Sequence, residues 1–162
     1  MTEAVTLRPL AAADAGELRR IHRIPAVAQW WGDMDEGFPL TDDPSATRFT
    51  VLAGGRIAGM VQYGEEEDPD YRHAWIDVFV DPAQRGRGIG TEAVRALAEH
   101  LLAERGHHRV TIDPAADNAA AIRSYRKAGF RPVGVMRAYE RDVGGDDFHD
   151  GLLMELLAGE EQ

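Results

Sequence analysis

Val78-Phe79-Val80-Asp81-Pro82-Ala83-Gln84-Arg85-Gly86-Arg87-Gly88-Ile89-Gly90-Thr91 is the stretch whose reading decides the fold. Its first part closes a run of strand formers, His73 to Val80, and Asp81-Pro82 ends that run. Its second part is a glycine-rich loop, Gln84 to Gly90. A helical pattern follows from Thr91 to about Arg105, with Val94, Leu97, Ala98, Leu101 and Leu102 on its apolar face. Strand, glycine loop and helix in that order make an anion site. Glycines let the backbone come close to a phosphate, successive N–H groups point at it, and the helix N-terminus adds a favourable dipole. Arg85 and Arg87 either add charge to this site or stand in solvent.

Upstream, Val5 to Pro9 reads as a first strand and a helix starts near Asp14, with Asp14 and Glu17 at capping-box spacing. Leu18, Ile21 and His22 give that helix a buried face, and Ile24-Pro25 breaks it. Pro25 starts a second helix that ends at Trp30-Trp31-Gly32, and the polar stretch from Asp33 to Pro44 is expected to be a surface loop. Arg48 to Ala53 and Arg56 to Gly64 flank Gly54-Gly55, a hairpin signal, and Glu65 to Asp70 reads as an acidic turn. Downstream come a strand from Arg109 to Asp113 and a helix capped by Asp117 or Asn118 and stopped at Gly129. Two strands finish the pattern, Phe130 to Arg137 and Phe148 to Leu157. The expected fold is therefore α/β, a mixed sheet with helices on both faces, formed by residues 1–162 as one domain.

The composition of the 162 residues is globular, with 44% hydrophobic and 28% charged. No apolar stretch approaches the roughly 20 residues that span a membrane, and no basic leader precedes an apolar run. Cysteine is absent, which excludes disulfides, thiolate metal sites and a cysteine nucleophile and is compatible with a cytoplasmic location. Eighteen Lys and Arg against 28 Asp and Glu give a formal charge of −10. Such a surface repels nucleic acid and favours cationic small molecules, or simply keeps the chain soluble. His107 and His108 point in different directions, so no metal site is suggested. The oligomeric state is left open between monomer and homodimer.

Three phosphate loops compete. A Walker A loop ends in Gly-Lys-Ser/Thr, and here Gly90 is followed directly by Thr91. A Rossmann fingerprint counted from Gly86 puts Thr91 at its third glycine; Asp113 stands where a ribose-binding acid would be, but the loop follows a hairpin instead of the first strand. The third pattern, Arg85-x-x-Gly88-x-Gly90, resembles the pyrophosphate motif of the GNAT acetyltransferase superfamily. The likeness extends over nearly the whole chain. Val78 to Pro82 resembles the strand that pairs with the pantetheine arm, and Asn118-x-x-Ala121-x-x-x-Tyr125-x-x-x-Gly129-Phe130 resembles the second cofactor segment. Within the superfamily, Gln29-Trp30-Trp31-Gly32, Trp75-Ile76-Asp77, Thr111 to Pro114 and Asp150-Gly151 look similar to aminoglycoside 6'-N-acetyltransferases.

The resemblance implies acetyl-CoA in the splay between the fourth and fifth strands, no metal, and direct transfer of acetyl to a primary amine of a cationic small molecule. It assigns Phe79, Val80, Arg85, Gly86, Arg87, Gly88, Ile89, Gly90, Thr91, Asn118 and Tyr125 to the cofactor. Tyr125 matches the family's tyrosine near the coenzyme sulfur; its plain alternative is packing. The only serines, Ser45 and Ser124, lie off any nucleophile elbow, which agrees with direct transfer. Asp77, in an apolar strand with Trp75 and Phe79 on its face, needs a partner such as a substrate ammonium, or else faces solvent. With an ordinary pKa it would bind, orient and relay a proton through water; with a raised one it would serve as a base. The first is the expected role. Asp113 and Asp150 are candidates for further ammonium groups or are turn residues, and Trp30 and Trp31 wall the acceptor or sit in the core. Acetylation of a protein N-terminus or lysine, and a non-catalytic acyl-CoA sensor, are the rival functions.

Overall fold

The computed structural model describes residues 4–160. The chain runs β1 (Val5–Pro9), α1 (Ala15–His22), α2 (Pro25–Trp31), β2 (Thr47–Ala53), β3 (Arg56–Glu66) and β4 (His73–Val80). It continues through α3 (Ile89–Ala103), β5 (Arg109–Ile112), α4 (Ala119–Lys127), β6 (Arg131–Arg141) and β7 (Phe148–Leu157). Seven strands form one mixed sheet in the order β1-β2-β3-β4-β5-β7-β6. Every neighbouring pair is antiparallel except β4 and β5. This rules out the parallel sheet that a dinucleotide-binding reading of the glycine loop would need.

Alternation along β3 and β4 feeds two cores on opposite faces. Val61, Tyr63, Ala74 and Ile76 pack under α3 with Leu97 and Leu101. Met60 and Phe79 point the other way, onto Leu18 and Ile21 of α1, Val27 of α2 and Phe38. Burying each Leu or Ile fully contributes about 1.5–3 kcal/mol, enough to fix which face of each helix turns inward.

The feature that positions the site is a gap. β4 and β5 pair only through Ala74↔Val110 and Trp75↔Thr111, so the rest of β4 diverges from its parallel neighbour. The expected splay between the fourth and fifth strands is present.

Several local expectations change. α3 begins at Ile89, two residues early, because Gly88 adopts a left-handed φ of 72° and starts the helix itself. Asp14 makes no box with Glu17. A 3-10 turn, Ala12–Asp14, leads straight into α1, and the buried carboxylate turns back onto Arg8 (2.6 and 2.9 Å), the Ala11 N–H (3.0 Å) and the Thr50 hydroxyl (2.7 Å). Glu65 belongs to β3 instead of a solvated turn, and it accepts from Arg105 while bonded to His107. The 33–44 loop is not wholly superficial, since Phe38 is buried among His22, Trp31 and Phe79.

Candidate functional site

A cavity of about 480 Å³ fills the splay. β4 from Ile76 to Val80 forms one wall, and the segment after β5 from Asp113 forms the other. The start of α3, one face of α4, α2 and Glu140 of β6 complete the lining.

The glycine loop lies beyond the carboxyl end of β4. Asp81 fastens its entry: the carboxylate accepts from the Ala83 N–H at 2.9 Å and from Arg20 of α1 at 3.1 Å. Gly86 (φ 81°) and Gly88 (φ 72°) are both left-handed, and a Cβ on either would meet no atom within 4 Å. The space before them is therefore open and no side chain fills it. Arg85, Gly86, Gly88, Ile89 and Gly90 line the cavity, as do Phe79, Val80, Asn118 and Tyr125. Arg87 and Thr91 do not belong to this lining. Thr91 instead bonds the Ser124 carbonyl (3.2 Å) and hydroxyl (2.8 Å), which locks α3 to α4. Asn118 also caps α4, accepting from the Ala121 N–H at 3.3 Å.

At mid-β4, Asp77 faces the cavity and accepts from Gln62 Nε2 at 3.3 Å. Burial pushes its carboxyl up to about 6, with Asp113 and Glu140 adding repulsion and Gln62 opposing them. The ordinary pKa expected for an orienting carboxylate is thus replaced by a raised one. Tyr125 of α4 lines the same cavity, and burial with the nearby Asp77 and Asp113 pushes its phenol well above the usual range. Burial also raises Asp113, while the Tyr139 hydroxyl, 2.5 Å away, opposes that rise. Trp30 and Trp31 both line the cavity, and Trp31 Nε1 donates to the Val78 carbonyl at 3.0 Å.

The sequence from residue 7 to residue 130 matches the model of the Acetyltransferase (GNAT) family. The chain belongs to that family. Among its GNAT relatives, an aminoglycoside N(6')-acetyltransferase type 1 of Klebsiella pneumoniae is 29% identical, covering 83% of this chain and 77% of its own. The N-alpha-acetyltransferase RimI of Mycobacterium tuberculosis is 36% identical and covers 91% of each chain. A solved aminoglycoside acetyltransferase in complex with coenzyme A and kanamycin superimposes with a TM-score of 0.78 at 25% identity, covering 95% of each chain. The protein is an acetyl-CoA-dependent N-acetyltransferase. Among the described residues no cluster of three or more metal-ligating side chains occurs, and no helix is long and apolar enough to cross a membrane.

Asp150 lies outside the cavity lining. It is inside β7, not at a turn, and its carboxylate accepts from the Ala138 N–H at 2.8 Å. That bond supports a bulge in β6 where Ala138 takes a positive φ of 48°. Gly151 completes the arrangement, because a Cβ there would come within 2.8 Å of the Tyr139 ring. The Asp150-Gly151 pair thus seats Tyr139 against Asp113. Gln62, Tyr139 and Glu140 were missed in the sequence. Gln62 is a polar residue in an otherwise apolar run of β3, which is a usable signal; Tyr139 and Glu140 are aimed by a bulge that alternation does not disclose.

Proposed function

We propose that this GNAT enzyme transfers acetyl from acetyl-CoA to a primary amine of a cationic, aminoglycoside-like small molecule, directly within a ternary complex. The observation that carries this reading is the charge division of one cavity. Its charged lining consists of Arg85, beside the left-handed glycines and the α3 N-terminus, and of Asp77, Asp113 and Glu140 on the walls formed by mid-β4, the segment after β5, and β6. The first set suits a diphosphate and the second suits ammonium groups.

Acetyl-CoA supplies a thioester carbonyl for attack and a thiol as leaving group. The chain's own residues would manage the protons. An acceptor amine arrives as an ammonium with a pKa near a lysine's, about 10, and must lose a proton before it can attack. Asp77, with its pKa pushed up to about 6, is ionised at neutral pH yet more basic than an ordinary aspartate, so it can hold the ammonium and take its proton directly or through water. Tyr125, held protonated, donates a hydrogen bond to the departing thiolate and keeps its own proton, since a thiol is the stronger acid of the two. Phe79, Trp30 and Trp31 keep the walls beside Asp77 apolar, which limits competing water.

A second reading, acetylation of a protein N-terminus, is favoured by the 36% identity to the N-alpha-acetyltransferase. A peptide N-terminus brings one ammonium, and three carboxylates exceed that need. Thiol release from acetyl-CoA with an aminoglycoside, a linear polyamine and an N-terminal peptide decides between them. The proposal expects the multiply charged amines to have at least tenfold higher kcat/KM than the peptide, about 1.4 kcal/mol of transition-state preference. Preference for the peptide would replace it with the second reading.

A further inference from the structure

Arg48, Gln62 and Asp77 form a row across β2, β3 and β4. Arg48 is in register with Gln62, and Gln62 with Asp77. Arg48 Nε donates to Gln62 Oε1 at 3.1 Å, and Gln62 Nε2 donates to Asp77 Oδ2 at 3.3 Å. A glutamine amide can present either end to a carboxylate, and only the NH₂ end attracts one. A guanidinium has donors and no acceptor. Arg48 therefore holds the amide oxygen on its own side and leaves the NH₂ facing Asp77.

The guanidinium is itself fixed by the loop that crosses this face. Arg48 Nη1 donates to the carbonyls of Pro39 and Thr41, both at 2.9 Å, and the group lies 5.2 Å from the centre of the Phe38 ring. Asp43 is 3.9 Å away, and the Arg48 side chain is 12% exposed. Phe38 packs on Phe79 and Trp31, so the same loop also touches the apolar wall beside Asp77.

We propose that Arg48 is a positioning residue that acts through Gln62 to set the direction and ionisation of the Asp77 carboxylate, coupling the 33–46 loop to acetyl transfer. The proposal rests on the catalytic reading of Asp77 given above. The charged and titratable groups facing Asp77 are Asp113 after β5, Glu140 and Tyr139 of β6, and Tyr125 of α4. From α2, Ala26, Val27, Trp30 and Trp31 line the same cavity, and all four are uncharged. Against these, the Gln62 bond is the contact that favours the ionised form.

The test follows the Asp77 carboxyl carbon by NMR through a pH titration, with the resonance assigned by Asp77→Asn, together with pH–rate profiles. Gln62→Leu should move the Asp77 midpoint up by about one pH unit, the size expected for losing one hydrogen bond to a partly solvated charged group. Arg48→Met should move it in the same direction. The double variant should go no further than Gln62→Leu alone. If Arg48→Met does not fold, Arg48→Lys serves. One ammonium cannot hold Gln62 and both loop carbonyls together, so a smaller upward shift is expected. A lowered melting temperature with an unmoved midpoint in the Arg48 variants would overturn the proposal. So would an Arg48 effect that persists in the Gln62→Leu background, since that would be direct charge and not a relay. Moved midpoints with an unmoved rate profile would leave the relay standing and sink the catalytic reading of Asp77.

Discussion

The hydroxyl of Tyr139, on β6, donates to the carboxylate of Asp113, just after β5, over 2.5 Å, spanning the strand that lies between β5 and β6 in the sheet. The bond joins two walls of the GNAT cavity on its acidic side. It also sets the charge there, because burial raises the Asp113 pKa and the hydroxyl lowers it.

Tyr139→Phe removes only that hydroxyl. Asp113 should then titrate at higher pH and lose its charge sooner as pH falls. For a cationic acceptor, KM should rise more at pH 6 than at pH 8, with kcat little changed. Gly151→Ala should act alike, by pushing the ring off its seat. Initial rates at the two pH values check both. Equal KM changes at both pH values would separate Tyr139 from the ionisation of Asp113.

Gly88→Ala places a Cβ in the open space before the loop and in a left-handed conformation. The strain alone should cost about 1–2 kcal/mol of stability. If that space receives the diphosphate, acetyl-CoA affinity should fall by about tenfold or more, some 1.4 kcal/mol. Calorimetric titration of folded variant protein reads this directly. A lowered melting temperature with unchanged affinity would move the diphosphate elsewhere.

Tyr125→Phe keeps the buried ring and deletes the hydrogen-bond donor. Acetyl-CoA affinity should hold while kcat falls by about 10²-fold, the low end for a lost donor to a developing anion, since a thiolate leaves readily. An unaltered kcat would make Tyr125 a packing residue.

Asp14→Asn should destabilise the fold by about 2 kcal/mol, because Arg8, the Ala11 N–H and Thr50 all lose a charged acceptor. Arg8 hydrogen bonding holds this carboxyl well below the usual range. Its contribution is therefore present above about pH 4, the unfolded value, and lost as pH falls toward the folded one. Melting curves of both proteins should converge in acid. A constant gap from pH 3 to pH 8 would contradict this.

The sequence disclosed the parts of this site that depend on local pattern. The glycine loop, the Asn118 cap and the alternation that turns Asp77 away from the α3 core can each be read within a few residues, and all are found. What escaped depends on register and bulges between distant strands. Gln62 meets Asp77 only because β3 and β4 pair in one register, and Arg48 joins the row only through β2. Asp150-Gly151 falls within the strand expected from Phe148 to Leu157, with Asp150 open between an ammonium ligand and a turn residue. Its support of a bulge in β6 follows from a pairing that no local pattern records. Thr91 followed the loop in sequence, yet the early start of α3 turns it toward Ser124.

Asp77→Asn tests the account most directly, because it removes the charge and keeps the shape. A buried carboxyl whose pKa is raised stabilises the fold at low pH and loses that contribution as pH rises through the folded value, here about 6. The variant should therefore melt higher than wild type at pH 8, with the advantage shrinking below pH 5. On the same preparation, acetyl-CoA affinity should be unchanged and kcat/KM for a multiply charged amine should fall at least tenfold, about 1.4 kcal/mol or more. The wild-type pH–rate profile should carry an acidic limb near the Asp77 value of about 6, and the variant should lack it. Equal kcat/KM and an identical limb in the two proteins would contradict the account and take Asp77 out of the transfer step.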